Sequence, residues 1–456
     1  MANGFSYADD RHVAIVGAGF AGTLQAINLL RHDGPRATLI ERRPHAGRGI
    51  AYSAAHPDHL LNVRAGNMSA LPDDPDHFSR WLALRHPALD GFVPRIVYGD
   101  YLAELLEEAT AGSQGRLRLI DGEAIDIGRG ADGRTIRLAD GREIRADSVV
   151  LAPGNLPPHE PPALSGGALA TDLYAADPWG ADLAEGLGDQ DCVLIIGTGL
   201  TMVDIVLMLE ARGYRGKIVA LSRRGLLPQA HAGQIIAAPL GERPPLTTSA
   251  LLRSVRSRAR SVGWRAAVDA LRPFTQDLWL GADPAVRARF LRHLRPWWDI
   301  HRHRLAPEVS ARIATLLASG RLELRAGKLI DAEPSGGSVI IGWRPRGTER
   351  SETLRVRRIV NASGPQGDLL RTGEPLLRAL LDRGMIRPDP LHIGIEVNQQ
   401  SEVIDAAGRP DPGLLAIGPM TRGTFWEIVA VPDIRVQTWS VARKLSHAHW
   451  VEGEGL

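Results

Sequence analysis

The chain has 456 residues, more than one ordinary hydrophobic core accommodates, and this predicts two or three domains. With 44% hydrophobic and 23% charged residues it reads as a folding globular protein, and a net charge of +2 supplies no field that would draw nucleic acid. The single cysteine, Cys192, excludes intramolecular disulfides, a Cys-x-x-Cys redox pair and a thiolate metal cluster, and no run reaches the ~18 to 20 apolar residues of a bilayer span. A cytoplasmic protein with neither nucleic-acid nor membrane partners is expected.

The first ~45 residues predict a β-α-β unit. An apolar strand over Val13 to Val16 enters a turn at Gly17, Gly19 and Gly22, a helix runs through Phe20 and Ala21 to about Arg31, and a second strand over Ala37 to Ile40 ends at Glu41. This is the G-x-G-x-x-G pattern. Its first glycine makes the tight turn, its second admits a pyrophosphate to the backbone, its third lets helix and strand pack closely, and the helix start offers free N–H groups to the phosphates. Glu41, ~20 residues beyond the last glycine, is placed to accept hydrogen bonds from the hydroxyls of an adenosine ribose. Arg42 and Gly49, in the segment that leads away from that strand, are further candidates for contact with the same cofactor.

Next comes a polar loop with Asn62, Arg64, Asn67 and Met68. The acidic trio Asp73, Asp74 and Asp76, with Pro75, is expected to cap the helix that begins at "HFSRWLAL". From about Arg116 short alternating strands joined at Asp132 and Asp140 predict a β-meander, closing on "VVLAPGNLPP" with Gly154. "IVNASGP", from Ile359 to Pro365, repeats that closing pattern. The repetition suggests that the chain leaves a first domain, builds another and comes back.

A second glycine turn lies between the two closures. "CVLIIGTGLTM" carries Gly197, Gly199, Leu200 and Thr201, with Met202 at the third glycine position, which should hold the helix slightly off its strand. The strand that follows ends on Ser222, Arg223, Arg224 and Gly225 rather than on an acid. Two guanidiniums suit a 2′-phosphate better than a bare ribose hydroxyl, so NADPH is the expected occupant. Helical periodicity between about Pro244 and Ser319, broken at Gly263, Gly281, Pro296 and Pro307, predicts a helical insertion, and the arginines from Arg253 to Arg260 read as a solvated helix face. His293, His301 and His303 are too loosely spaced among arginines for a metal site, and none is assigned. Near the C-terminus, "LLAIGPM" reaches Gly418, "TRGTFWE" holds Arg422, Thr424 and Glu427, and a helix is expected to begin near Val431 and Pro432 with its positive end directed at a cofactor.

GAGFAG with Glu41, the segment from Glu41 to Phe78, GTGLTM and "GPMTRGTFWEIVAVPDIR" together resemble the family of FAD/NAD(P)-binding flavoproteins that includes FAD-dependent urate hydroxylase and aspartate N-monooxygenase. More broadly the plan is similar to class B flavin monooxygenases. The resemblance implies an α/β fold with two Rossmann-like dinucleotide-binding domains and a helical insertion. FAD would be held by residues 1–157 and 355–456, NADPH by residues 158–354, and the insertion would span 241–319. It further implies a single-component monooxygenase in which the flavin receives hydride from NADPH and activates O2 as a C4a-(hydro)peroxide. The implied substrate is small, electron-rich and anionic, with urate or a related purine first and an amino-acid N-hydroxylase as the alternative. An FAD-dependent NAD(P)H oxidoreductase without oxygen transfer and a non-catalytic flavin redox sensor complete the readings, and a homodimer is the assembly to test. Asn62, Arg64, Arg422, Thr424 and Glu427 are the candidate catalytic residues. Superfamily members usually end the third strand in Gly-Asp, whereas here Pro419 follows Gly418, so the contact made by that acid must come from elsewhere.

Overall fold

The computed structural model describes residues 11–53, 56–130, 133–165, 169–180, 182–232 and 240–446. The chain divides into two compact units, Met1–Ala55 with Val63–Leu156 and Gly367–Leu456, and His56–Asn62 with Pro157–Gln366.

The first unit is built on a six-stranded sheet in the order Glu402–Ile404, Pro410–Ala416, Ser148–Leu151, His12–Val16, Arg36–Glu41, Leu117–Asp121. All its pairings are parallel except that of the outermost pair, Glu402–Ile404 against Pro410–Ala416. Central strands of such a sheet are covered on both faces, which is why Val13, Ala14 and Ile15 form a continuous apolar run and are all buried. On one face lies the helix Phe20–Arg31, buried from Phe20 through Leu29, against which the helix Val431–Leu445 packs; Asn28 Nδ2 donates to Thr438 Oγ1 across that contact at 3.2 Å. On the other face the three-stranded meander Ala124–Gly130, Gly133–Leu138 and Glu143–Ala146 closes a core that includes Ile40, Ile127, Ile136, Leu138 and Leu414. The helix after the acidic trio begins at His77, but its N-cap residue Asp76 makes no side-chain cap. The acids are drawn instead to arginines: Asp73 pairs with Arg31 at 2.7 Å and Asp74 with Arg80 at 2.5 Å. A charge-assisted bidentate pair outcompetes a neutral N–H for the same carboxylate.

The second unit holds a seven-stranded sheet in the order Glu352–Val356, Ser338–Pro345, Leu322–Ser335, Lys217–Ser222, Cys192–Ile196, Arg358–Asn361, Tyr174–Ala175. The last five strands in that order run parallel, and the first three form an antiparallel extension. The expected helical insertion is present as Thr248–Val262, Trp264–Asp269, Thr275–Leu280, Pro284–His293, Arg295–Arg302 and Pro307–Ala318. Gly263, at φ +80°, separates the first two, and Asp283 caps the fourth by accepting from the Val286 N–H at 2.8 Å. Thr248–Val262, which carries the arginine run, buries none of its residues.

The chain passes from the first unit to the second just after Leu156 and back just after Gln366, each time beyond one of the two repeated closing patterns. The strands of those patterns, Ser148–Leu151 and Arg358–Asn361, each pair in parallel with the strand entering a glycine turn, one in each unit. One detail differs from the sequence reading: residues 56–62, expected in the first domain, are grouped with the second, because the loop docks there. His59 Nε2 meets the Asp204 carbonyl at 2.8 Å, the Asn62 carbonyl meets His231 Nε2 at 2.9 Å, and Asp58 pairs with Arg312 at 3.0 Å.

Candidate dinucleotide-binding sites

In the first unit the opening strand delivers Gly17 at φ +101° directly against the next strand, where a Cβ would lie 2.3 Å from the Ala152 carbonyl oxygen. Only glycine fits that contact. The same crowding recurs in the second unit, with Gly197 at φ +123° and a virtual Cβ 2.1 Å from the Ala362 carbonyl oxygen. Gly19 and Gly199 then take nearly the same extended conformation as N-caps, at φ −75°, ψ −169° and φ −86°, ψ −164°. The two turns are thus geometric equivalents on unrelated stretches of chain. They part at the third position. At Gly22 a Cβ would lie 1.8 Å from the Gly17 carbonyl oxygen, whereas Met202 carries a whole side chain there, fully buried. Both helices nonetheless begin one residue after their N-cap glycine, at Phe20 and at Leu200.

Hydrogen bonds align the strand ends. Gly17 N–H donates to the Ile40 carbonyl and Gly197 N–H to the Leu221 carbonyl, both at 2.8 Å, so Glu41 and Ser222 occupy the same place in the two motifs. Glu41 Oε2 accepts the Ala18 N–H at 2.7 Å and Oε1 the Arg43 N–H at 3.0 Å, which orients the carboxylate over the turn and leaves acceptor capacity for ribose hydroxyls. In the second unit the residue after the first glycine is Thr198, whose hydroxyl lies 2.9 Å from Ser222 Oγ and donates to the Leu226 carbonyl at 2.6 Å. Beyond Ser222 come Arg223, which is exposed and makes no hydrogen bond or ion pair among the described residues, and Arg224, which donates to the Arg292 carbonyl at 3.3 Å. One turn ends in a fixed carboxylate, the other in a hydroxyl and two guanidiniums.

The remaining predicted residues sort by unit. Gly49 opens the short helix Gly49–Ser53 beside the first turn, and a Cβ on it would come within 3.0 Å of Gly19 Cα, so its bareness keeps the cradle open. Phe20 turns its ring inward toward Tyr52 and Tyr98, at centroid distances of 6.4 and 6.2 Å, which leaves only its backbone for a phosphate; Ala21 is buried at the helix start. Arg42, predicted at the cofactor, bridges Glu123 at 3.0 Å and Glu374 at 2.7 Å, and the bond to Glu374 chiefly raises its pKa. Gly154, at φ +70°, faces open space, and Gly418, at φ +78°, lies against Ala21. Met68 is buried at the end of the 3₁₀ turn Ala65–Asn67, and Val431 is the first residue of the helix Val431–Leu445, one position earlier than Pro432. Leu200 and Thr201 begin the second unit's helix.

The five catalytic candidates are not gathered in one unit. Asn62 lies in the second. Arg64, Arg422, Thr424 and Glu427 lie in the first, where Arg64 stacks on Phe92 and Arg422 on Trp426, the Thr424 hydroxyl donates to the Val397 carbonyl at 2.7 Å, and Glu427 is buried.

A residue that the sequence did not single out ties the first site together. Gln437, 6% exposed on the last helix, accepts the Gly418 N–H at 2.8 Å through Oε1, and its Nε2 reaches Ser401 Oγ and Thr421 Oγ1 at 3.2 Å each. Thr421 in turn donates to the Gly418 carbonyl at 2.8 Å. A carboxamide accepts and donates at once, so this one side chain secures the Gly418–Pro419 strand exit to the helix behind it. No local pattern announces it, since its partners are 16, 19 and 36 residues away.

A family model described as FAD-NAD(P)-binding matches residues 14–156. No curated protein sequence matches the chain. Among solved structures, L-lysine 6-monooxygenase from Pseudomonas syringae superposes with TM-score 0.68 at 17% identity, and ornithine hydroxylase from Pseudomonas aeruginosa with 0.66 at 14%; each match covers 96% of this chain and 99% of the other. Ornithine N-hydroxylase from Kutzneria sp. 744, in a complex with reduced FAD, NADP+ and L-ornithine, gives 0.65 at 16% identity over the same shares. At such identities the likeness establishes the fold: an α/β chain with two Rossmann-like halves and added helices.

Proposed function

We propose that the chain is a single-component FAD-dependent monooxygenase that consumes NADPH and hydroxylates nitrogen on a small amino acid or amine. The observation that carries this reading is the pair of glycine turns, alike in backbone geometry and unlike at the strand end. The Glu41 carboxylate suits the free ribose hydroxyls of FAD, and Ser222 with Arg223 and Arg224 suits the 2′-phosphate of NADPH. Both turns are held tight by backbone contacts that a single Cβ would break, and a tight turn at a helix start is the setting in which N–H groups meet a diphosphate. When bound, the flavin supplies the redox chemistry, accepting hydride from NADPH and passing the electrons to O2.

The chain's residues do the rest by positioning. Gly17, Gly19 and Gly22 admit the pyrophosphate to the N–H groups of the first helix, Glu41 fixes the ribose, and the positive end of Val431–Leu445 favours negative charge on the cofactor beside it. Gln437 and Thr421 hold the Gly418–Pro419 turn where superfamily members place an acid. Nitrogen as the site of hydroxylation is favoured by the likeness along nearly the whole chain to ornithine and lysine monooxygenases, whereas urate, first in the sequence reading, has no counterpart among those structures. Arg64, Arg422 and Glu427 are proposed on the substrate side.

The test is anaerobic reduction of the FAD-loaded protein by NADPH, followed by air in the presence of L-ornithine, L-lysine, cadaverine, L-aspartate or urate. Gain of one oxygen on an amine nitrogen, seen by mass spectrometry, with NADPH oxidation stimulated by the same compound, is expected. Bleaching by NADPH with no oxygenated product from any amine would leave the reductase reading, and no bleaching at all would leave the sensor.

A further inference from the structure

The first unit contains a cavity of about 520 Å³ that belongs to neither glycine turn. It lies toward the N-terminal ends of the sheet strands, whereas the turn follows their C-terminal ends. Strand register explains its lining. Because side chains alternate along a strand, residues 36, 38 and 40 share a face, and pairing of His12 with Arg36 and of Thr38 with Arg118 sets His12, Arg36, Thr38, Arg118 and Ile120 on that same face. Arg116 is brought beside them by the bond from the Ala37 N–H to its carbonyl. Farther along, this face is apolar and covered by the meander through Ile40, Ile127 and Ile136. At its beginning it turns basic, and the meander contributes Arg142, Glu143 and Arg145 opposite.

The cavity opens to solvent and gathers five guanidiniums at its mouth, those of Arg36, Arg118, Arg142 and Arg145 exposed and that of Arg116 partly buried, against the exposed carboxylate of Glu143. Like charges gathered at close quarters repel one another. Three of the five are engaged: Arg142 pairs with Asp140 at 2.6 Å, Arg116 donates to the Gly34 carbonyl at 2.7 Å and pairs with Asp33 at 3.8 Å, and Arg36 has a partner of its own. Arg118 and Arg145 make no side-chain hydrogen bond or ion pair among the described residues. The interior is a different surface. Ala37 and Leu138 are buried there, Ile120 and Ile144 are partly buried, and His12 is held by the Arg145 carbonyl at 2.7 Å and Thr38 Oγ1 at 2.8 Å.

We propose that this cavity is a further ligand site, distinct from both glycine turns, that binds an organic anion: a carboxylate or phosphate held by Arg118 and Arg145, with an apolar body on Leu138 and Ile144. The volume lies within the range of small-molecule pockets. Guanidiniums are the side chains best matched to carboxylate and phosphate oxygens, and an anion between Arg118 of the six-stranded sheet and Arg145 of the meander would offset the repulsion among the like charges of the cavity.

The test is isothermal titration of the FAD-loaded protein, saturated with NADP+ so that both dinucleotide sites are filled, with phenyl phosphate, inorganic phosphate and benzyl alcohol. Phenyl phosphate is expected to bind one per chain, about tenfold or more tighter than inorganic phosphate, with benzyl alcohol not binding. In R118Q/R145Q its affinity should fall at least about tenfold, since each charge-assisted bond is worth roughly that factor. FAD content should be unchanged and, with no ligand added, the unfolding temperature should equal or exceed that of the unaltered protein, because two repelling charges are gone. Failure of phenyl phosphate to bind at about 5 mM, an affinity that the double variant leaves unchanged, or equal binding of inorganic phosphate would each overturn the proposal, the last by reducing the arginines to a surface for counterions. A lower unfolding temperature of the ligand-free variant would overturn it as well, by giving the arginines a structural role.

Discussion

Gly197→Ala is the sharpest perturbation of the second turn. The new Cβ would stand 2.1 Å from the Ala362 oxygen and 2.7 Å from its carbon, both backbone atoms of the neighbouring strand. A carbon rests about 3.3 Å or more from a carbonyl oxygen, so strand and turn must separate by roughly 1 Å. The backbone at φ +123° adds about 1 to 3 kcal/mol of conformational strain for a residue bearing a Cβ. A displacement of about 1 Å in a positioning element costs on the order of 100-fold in rate. The assay is anaerobic stopped-flow reduction of the bound flavin by NADPH, with dithionite as the control reductant and FAD content measured on the same sample. The variant should keep its FAD, bleach with dithionite, and lose NADPH-driven bleaching by about two orders of magnitude. Gly17→Ala, with its Cβ 2.3 Å from the Ala152 oxygen, should do the reverse and cost FAD content while NADP+ binding persists. If Gly197→Ala were reduced by NADPH within about threefold of the unaltered protein, the turn would not be what seats the nicotinamide cofactor, and the assignment of the second unit would fail.

Gln437→Leu leaves the Gly418 N–H without its acceptor in a buried setting, a loss of about 1 to 3 kcal/mol that should lower the unfolding temperature by several degrees and weaken FAD retention together; calorimetry with and without added FAD reads both. Arg223→Ser should raise the KM for NADPH by about tenfold or more and leave that for NADH nearly unchanged, because in the proposed arrangement the guanidinium meets only the 2′-phosphate; steady-state kinetics with the two cofactors decides. Glu323 is held down to about 2, first by its hydrogen bond with Arg325 and further by Lys217. A depressed carboxylate stabilises the fold above its unfolded pKa and loses that contribution as pH falls through the folded value. The stability difference between the unaltered protein and Glu323→Gln should therefore be full at neutral pH, shrink below about pH 5 and vanish near pH 2, as followed by denaturant unfolding across that range.

Both glycine turns, the acid at the end of one second strand and the arginines at the end of the other were legible because each is dictated within some 25 residues of chain. A tight turn against a neighbouring backbone admits no Cβ, so glycine must stand there, and the strand that follows ends one residue beyond the carbonyl that accepts the turn's N–H. The helical insertion was legible for a like reason, since periodicity, Gly263 and the prolines mark its segments locally. The acids before His77 were misassigned because capping was weighed within the segment, while Arg31, 42 residues away, competes for Asp73.

What only the tertiary structure decided joins residues far apart in sequence. The role of "VVLAPGN" and "IVNASGP" as partner strands of the two turns rests on parallel pairing across more than 130 residues in each unit. The clamp of Gln437 on Gly418 and Ser401, the attachment of His59 to the Asp204 carbonyl, and the convergence of arginines from two strands and a meander on one cavity have the same origin. A local pattern records what a backbone can do at one place. Which buried amide receives a given carboxamide, and which face a charged strand end shares with its neighbour, is determined by register and packing, and these exist only once the sheet has formed.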